Sequence, residues 1–122
     1  MPDTPRKKLL IVDDEANLRT LYEAEFANAG YDVTLAASGP EAIDLVQKVK
    51  PDLVILDIRM PGMDGIETMS EILSRNNQIP IIINSAYSHY KENFMSWSAD
   101  AYVVKSSDLT ELKSKVAGLL TR

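Results

Sequence analysis

Three aspartates, a serine and a lysine each lie within two residues of the end of a short apolar run. Asp13 and Asp14 come after Leu9 to Val12, Asp57 after Leu53 to Leu56, Ser85 with Asn84 after Ile81 to Ile83, and Lys105 after Tyr102 to Val104. If these runs end at one crevice, three carboxylates meet there and raise one another's pKa by repulsion. A positive partner must then share the crevice. One divalent cation and one lysine balance the three negative charges formally. Hard oxygen donors with no His or Cys among them select Mg2+, which takes one or a few carboxylates and keeps waters for an incoming phosphate; Mn2+ suits the same ligands.

The elements that would position these residues are legible from hydrophobic spacing. The four apolar runs, with a weaker fifth from Val33 to Ala37, read as strands buried on both faces of a parallel sheet. Between them the spacing turns helical. Leu18, Leu21, Tyr22 and Phe26 form one face, Ala42, Leu45, Val46 and Val49 a second, Ile66, Met69 and Leu73 a third, and Leu109, Leu112, Val116 and Leu119 a last. Capping-box spacings mark helix starts at Ser38 with Glu41, Asp64 with Glu67 and Asp108 with Glu111. Gly30 is placed for a left-handed cap, and Pro51 for a helix stop. Strict alternation of five strands and five helices implies an open, doubly wound α/β fold with a parallel sheet, because right-handed crossovers put helices on both faces. In such sheets the functional crevice lies beyond the carboxyl ends of the strands. The second strand ends in Ala36, Ala37 and Ser38, which offer little chemistry.

Composition narrows the possibilities. At 122 residues the chain is read as one domain over 1–122, with its core from about 8 to 120, and that is long enough for a hydrophobic core without disulfides. Thirteen Lys and Arg against 18 Asp and Glu give a net charge of −5, which argues against a nucleic-acid clamp. Having no cysteine removes thiol catalysis and Cys-based metal sites, and a cytoplasmic location is the natural expectation. The apolar runs are too short for a signal peptide or a membrane span.

Each candidate also has a plain structural explanation. Asp14 with Asn17 could cap the next helix, Asp57 could decorate a turn at Met60-Pro61-Gly62, Ser85 could be a helix N-cap, and Lys105 could be solvated. Joint placement at strand ends is what favours a site. The residues together resemble the receiver domains of bacterial two-component response regulators, of the chemotaxis-regulator type. The resemblance runs from Lys8 to about Leu120 and is carried by Leu9 to Glu15, by Pro51 to Gly65 (PDLVILDIRMPGMDG), and by Ser85-Ala86, Tyr102 and Lys105. It implies a flavodoxin-like sheet in the order 2-1-3-4-5. It further implies that Asp57 takes a phosphoryl group from a phosphohistidine on a sensor histidine kinase or phosphotransfer protein. Mg2+ would be held by Asp13, Asp14, Asp57 and the backbone carbonyl of Arg59, while Lys105 and Ser85 would contact the phosphate. Ser85 and Tyr102 would switch the face made by the fourth helix, fifth strand and fifth helix toward a downstream protein or output domain. Arg59 and Tyr87 would tune hydrolysis by slowing the approach of water. The chain would catalyse only its own phosphorylation and dephosphorylation.

Two departures from the family pattern stand out. Lys105 is followed by Ser106 where a proline is usual; a cis bond before a non-proline costs about 3 kcal/mol, so a trans loop is favoured over a strained cis one. From Tyr87 to Ala101 the family's usual Gly-Ala is replaced by Ser98-Ala99, and Tyr90, Phe94 and Trp97 form a short aromatic stripe. His89 stands alone there, which argues against a metal or phosphodonor role. The competing readings are a degenerate receiver acting as a phosphorylation-independent interaction module, and a Mg2+-dependent phosphatase. The second lacks an acid two residues after Asp57, where Arg59 stands. Either a complete single-domain regulator or a piece of a longer one is compatible with this length.

Overall fold

Near-continuous apolar strands need cover on both faces, and four of them find it here in a single sheet that a more polar fifth strand completes at one edge. The computed structural model describes residues 6–58, 65–86 and 99–121. In chain order the elements are β1 Lys8–Val12, α1 Ala16–Asn28, β2 Asp32–Ala36, α2 Gly39–Val49, β3 Leu53–Leu56, α3 Gly65–Arg75, β4 Ile81–Ser85, β5 Ala101–Val104 and α4 Thr110–Thr121. All strand pairs are parallel, in the order β2-β1-β3-β4-β5. This is the doubly wound, flavodoxin-like arrangement expected from the sequence. Four helices fall among the described residues, α4 being the fifth of the sequence reading. The expected fourth, with Tyr90, Phe94, Trp97 and His89, lies outside the described residues, as do Arg59, Tyr87 and the Asp64 cap.

Side chains alternate across the sheet and divide the core in two. Leu10, Val12, Val54, Leu56, Ile81, Ile83 and Tyr102 pack with α2 and α3 through Ala42, Val46, Met69 and Ile72. On the other face, Leu9, Ile11, Leu53, Ile55, Ile82 and Val103 pack with α1 and α4 through Tyr22, Phe26, Leu112 and Val116. Leu21 departs from its expected place on the buried face of α1 and is 39% exposed, because the helix turns Tyr22 and Phe26 inward instead.

Local chemistry sets the ends of the elements. Beyond α1, the Tyr31 N–H donates to the Phe26 carbonyl and the Gly30 N–H to that of Ala27, each at 3.1 Å, with Gly30 at φ +105°. These are the paired bonds of a Schellman motif, and the Phe26 and Tyr31 rings, 6.1 Å apart, supply its apolar contact. The Ser38 hydroxyl caps α2 by accepting from Glu41 N–H, while the Glu41 carboxylate accepts from the Ala37 N–H, one residue before the position a regular capping box uses. At α4 the expected Asp108 and Glu111 box is replaced: the Asp108 carboxylate accepts from the Thr110 N–H and hydroxyl. Those two bonds hold its pKa below the ordinary carboxylate value.

One device recurs at the strand starts. The Asp52 N–H donates to the Lys8 carbonyl while its carboxylate accepts from the Lys8 N–H, both at 2.8 Å. Asp100 does the same with Ile81, at 2.8 and 2.9 Å. Each clamp fixes the register of the strand that follows it.

Candidate functional site

At the other end of the strands the ladder continues one residue further and carries the aspartates with it. The Asp13 N–H donates to Ala36 and the Asp57 N–H to Val12, both at 3.1 Å, and the Lys105 N–H donates to the Ser85 carbonyl at 2.8 Å. These bonds bring the ends of β1, β3, β4 and β5 to one rim. There the Lys105 ammonium lies 2.8 Å from an Asp13 oxygen and 2.9 Å from an Asp57 oxygen. Asp13 and Asp57 are buried and Asp14 is exposed, so the cluster opens to solvent on the Asp14 side.

The electrostatics follow from that burial. Desolvation, the largest single effect on Lys105, would lower its pKa, but hydrogen bonds and attraction from Asp13 and Asp57 together outweigh it and raise the pKa above its ordinary value. The lysine is therefore a fixed positive charge. It offsets one of three carboxylates and leaves a local excess of two negative charges. Oxygens of Asp13, Asp14 and Asp57 lie within 4.8 Å of one another, and an all-oxygen set with one open side fits a hexacoordinate Mg2+ that retains water.

Neighbouring groups hold this cluster in shape. The second Asp13 oxygen accepts from the Glu15 N–H at 2.9 Å, and its carbonyl accepts from Arg19 Nη1 at 2.8 Å. Glu15, which precedes α1, makes no side-chain cap bond, so the plain explanation in which Asp14 caps this helix is not realised. Behind Asp57, α3 begins at Gly65, whose N–H donates to the Ile58 carbonyl at 2.7 Å. A Cβ on Gly65 would stand 2.2 Å from the Asp57 carbonyl oxygen, so only glycine permits this approach.

Ser85 is fully buried at the end of β4. Tyr102 is 3% exposed, more deeply buried than a half-exposed strand aromatic, and lies on the α2 and α3 face. Strand alternation puts Ser85 on that same face. Asn84 does not join the carboxylates. Its amide donates to the Tyr22 hydroxyl at 3.0 Å on the opposite face. The Lys105–Ser106 peptide is trans. A cavity of about 440 Å3, lined by Val46, Pro51, Arg75 and Ile79 among others, lies at the opposite end of the sheet and is no part of this cluster.

Sequence spacing brought Asp13, Asp14, Asp57, Ser85 and Lys105 to the same strand edge, and the structure places them there. It did not single out Gly65, Arg19 or Tyr22. Gly65 was visible as a glycine opening a helix eight residues after Asp57. Arg19 and Tyr22 carry no pattern that separates them from ordinary helix residues.

Comparisons with known proteins agree with this geometry. Residues 9–117 match the family described as the response regulator receiver domain. The response regulator TrrA of Thermotoga maritima, solved in complex with Mg2+-BeF, is 46% identical, with a TM-score of 0.88 over 93% of this chain and 99% of that one. TrrA is also known in complex with the histidine kinase ThkA, and there gives a TM-score of 0.86 over 93% of this chain and 98% of that one. Sporulation initiation phosphotransferase F of Bacillus subtilis is 37% identical over 112 residues, 90% of each chain. A probable transcriptional regulator, ycf27, of Porphyridium aerugineum is 35% identical over 96% of this chain but 49% of its own length. The chain thus spans about half the length of the ycf27 relatives it matches. With its fold, its strand-edge carboxylates and these matches in agreement, the chain belongs to the response regulator receiver domain family.

Proposed function

We propose that this chain is a phosphorylatable switch whose acceptor is Asp57. The observation that carries the reading is the Lys105 ammonium bridging Asp13 and Asp57 beside an acidic cluster open on one side. The phosphoryl donor is a phosphohistidine on a sensor histidine kinase or a phosphotransfer protein; TrrA, seen with its kinase, supports that class of partner. An Asp57 carboxylate oxygen forms the new O–P bond as the N–P bond breaks, and the departing imidazole keeps the electron pair and takes a proton. Phosphoryl transfer needs little covalent assistance, so positioning and charge neutralisation do most of the work.

Lys105 pairs with the phosphoryl oxygens once Asp57 is phosphorylated, and the Ser85 hydroxyl donates a further hydrogen bond. Asp13, Asp14 and Asp57, with the Arg59 carbonyl, would hold Mg2+ or, in its place, Mn2+. When bound, the ion neutralises charge on the phosphoryl oxygens. Asp57 is an acceptor and not a turnover catalyst; water ends the cycle by hydrolysing the acyl phosphate, at a rate set by Arg59 and Tyr87. Ser85 and Tyr102 share a sheet face, so movement of the hydroxyl toward the phosphate changes the space beside the Tyr102 ring and biases the surface that a downstream protein or output domain reads. The reading includes a cytoplasmic location.

Incubation with acetyl phosphate and Mg2+, followed by intact mass measurement, tests the central step. Wild type is expected to gain one phosphate and Asp57→Asn none. No gain in wild type, with a donor active on another receiver, would favour the phosphorylation-independent module instead.

A further inference from the structure

Asn84 and Ser85 are neighbours at the end of β4, but alternation sends their side chains to opposite faces. Ser85 lies on the α2 and α3 side, with a carbonyl that accepts from Lys105 N–H. Asn84, 3% exposed, reaches into the α1 and α4 side and donates to Tyr22, 2% exposed and 62 residues away. A phenol and an amide at that depth are costly unless each satisfies the other, and their hydrogen bond is directional in a way that apolar packing is not.

The location gives this bond its importance. Tyr22 is on α1, one helical turn beyond Arg19, which holds the Asp13 carbonyl. Burial is the main reason that the Tyr22 pKa is raised, so the phenol stays neutral. Asn84 directly precedes Ser85, whose carbonyl accepts from the Lys105 N–H, so the bond lies beside the strand ends that carry the charged cluster. Arg19 ties α1 to the end of β1, and Tyr22 ties the same helix to the end of β4.

We propose that Tyr22 and Asn84 form a positioning pair that fixes α1, and with it the Asp13 and Asp14 loop, against the end of β4, which carries Ser85 and is tied to Lys105 at the end of β5. The pair touches neither phosphate nor metal; it acts by keeping the carboxylate side and the phosphate side of the pocket in register. The inference rests on the proposed function for its meaning, but its first readout is Mg2+ binding, which needs no phosphoryl transfer.

Tyr22→Phe, Asn84→Leu and the double variant are compared with wild type by calorimetric Mg2+ titration, by thermal unfolding, and by the rate of Asp57 phosphorylation at saturating acetyl phosphate. Tyr22→Phe is expected to stay folded and to bind Mg2+ roughly 10-fold more weakly, as is usual when a group supporting a metal ligand is lost. The double variant removes both polar partners, so its Tm should return toward wild type while its Mg2+ affinity and phosphorylation rate stay low. Recovery of Tm and Mg2+ affinity together in the double variant would reduce the pair to a packing role and overturn the proposal, as would unchanged Mg2+ affinity in Tyr22→Phe. Wild type that binds Mg2+ but takes no phosphate would sink the proposed function and leave the pair to be judged on Mg2+ alone. Wild type that binds no Mg2+ would overturn both.

Discussion

At the scale of single residues, the pocket depends on side chains that are present and on one that is absent. Lys105 contributes a charge that two aspartates hold in place, whereas Gly65 contributes the lack of a Cβ. Gly65→Ala would push a methyl group against the Asp57 carbonyl oxygen, and overpacking of this kind costs about 1–3 kcal/mol. Urea unfolding should show that loss, together with slower phosphorylation because Asp57 is displaced; a variant as stable as wild type would mean that α3 can retreat without penalty. The aspartates, Ser85 and Lys105 were legible in the sequence because residue type and position at a strand end coincide. Gly65, Arg19 and Tyr22 were less so, because their roles depend on which backbone or side chain approaches them through space.

At the scale of elements, apolar runs placed the strands to within a residue or two, since strands covered on both faces are apolar along most of their length; the largest shortfall is at β4, which continues through Asn84 and Ser85. Helix faces were less secure. Leu21 fits the spacing of α1 as well as Tyr22 does, but Tyr22 has a buried hydrogen-bond partner waiting on β4 and Leu21 has solvent. The strand-start clamps were invisible, because Asp52 and Asp100 look like loop residues until their partners are known. Their effect is measurable. Asp100→Ala removes the acceptor of the Ile81 N–H, and leaving a buried donor unmet costs about 1–3 kcal/mol. Chemical denaturation of this variant should show a loss in that range, partly restored by Asp100→Asn; no loss would show that water replaces the carboxylate.

On the scale of the whole molecule, the net charge of −5 says less than where the charge lies. Three carboxylates and one lysine at one rim leave a folded state that a divalent cation should favour over the unfolded chain. Binding to the folded form alone adds about 2.7 kcal/mol at a hundredfold excess over Kd. Added Mg2+ is therefore expected to raise the Tm of wild type and to leave exposed Asp14→Asn close to its metal-free value. An equal rise in both would remove Asp14 from the ligand set. Among the described residues no helix is long and apolar enough to cross a membrane, and the two halves of the core meet only across the sheet.

The opposite pole has a practical consequence of its own. Before β1 the Arg6 guanidinium donates to the carbonyls of Ala27 and Gly30, each at 2.9 Å, strapping the incoming chain to the end of α1. From there the five residues of β1, at about 3.3 Å each, lead roughly 16 Å to the carboxylate rim. A biosensor surface coupled through a linker ahead of Arg6 would attach every molecule at the end away from the rim, leaving the rim free to face the flowing solution.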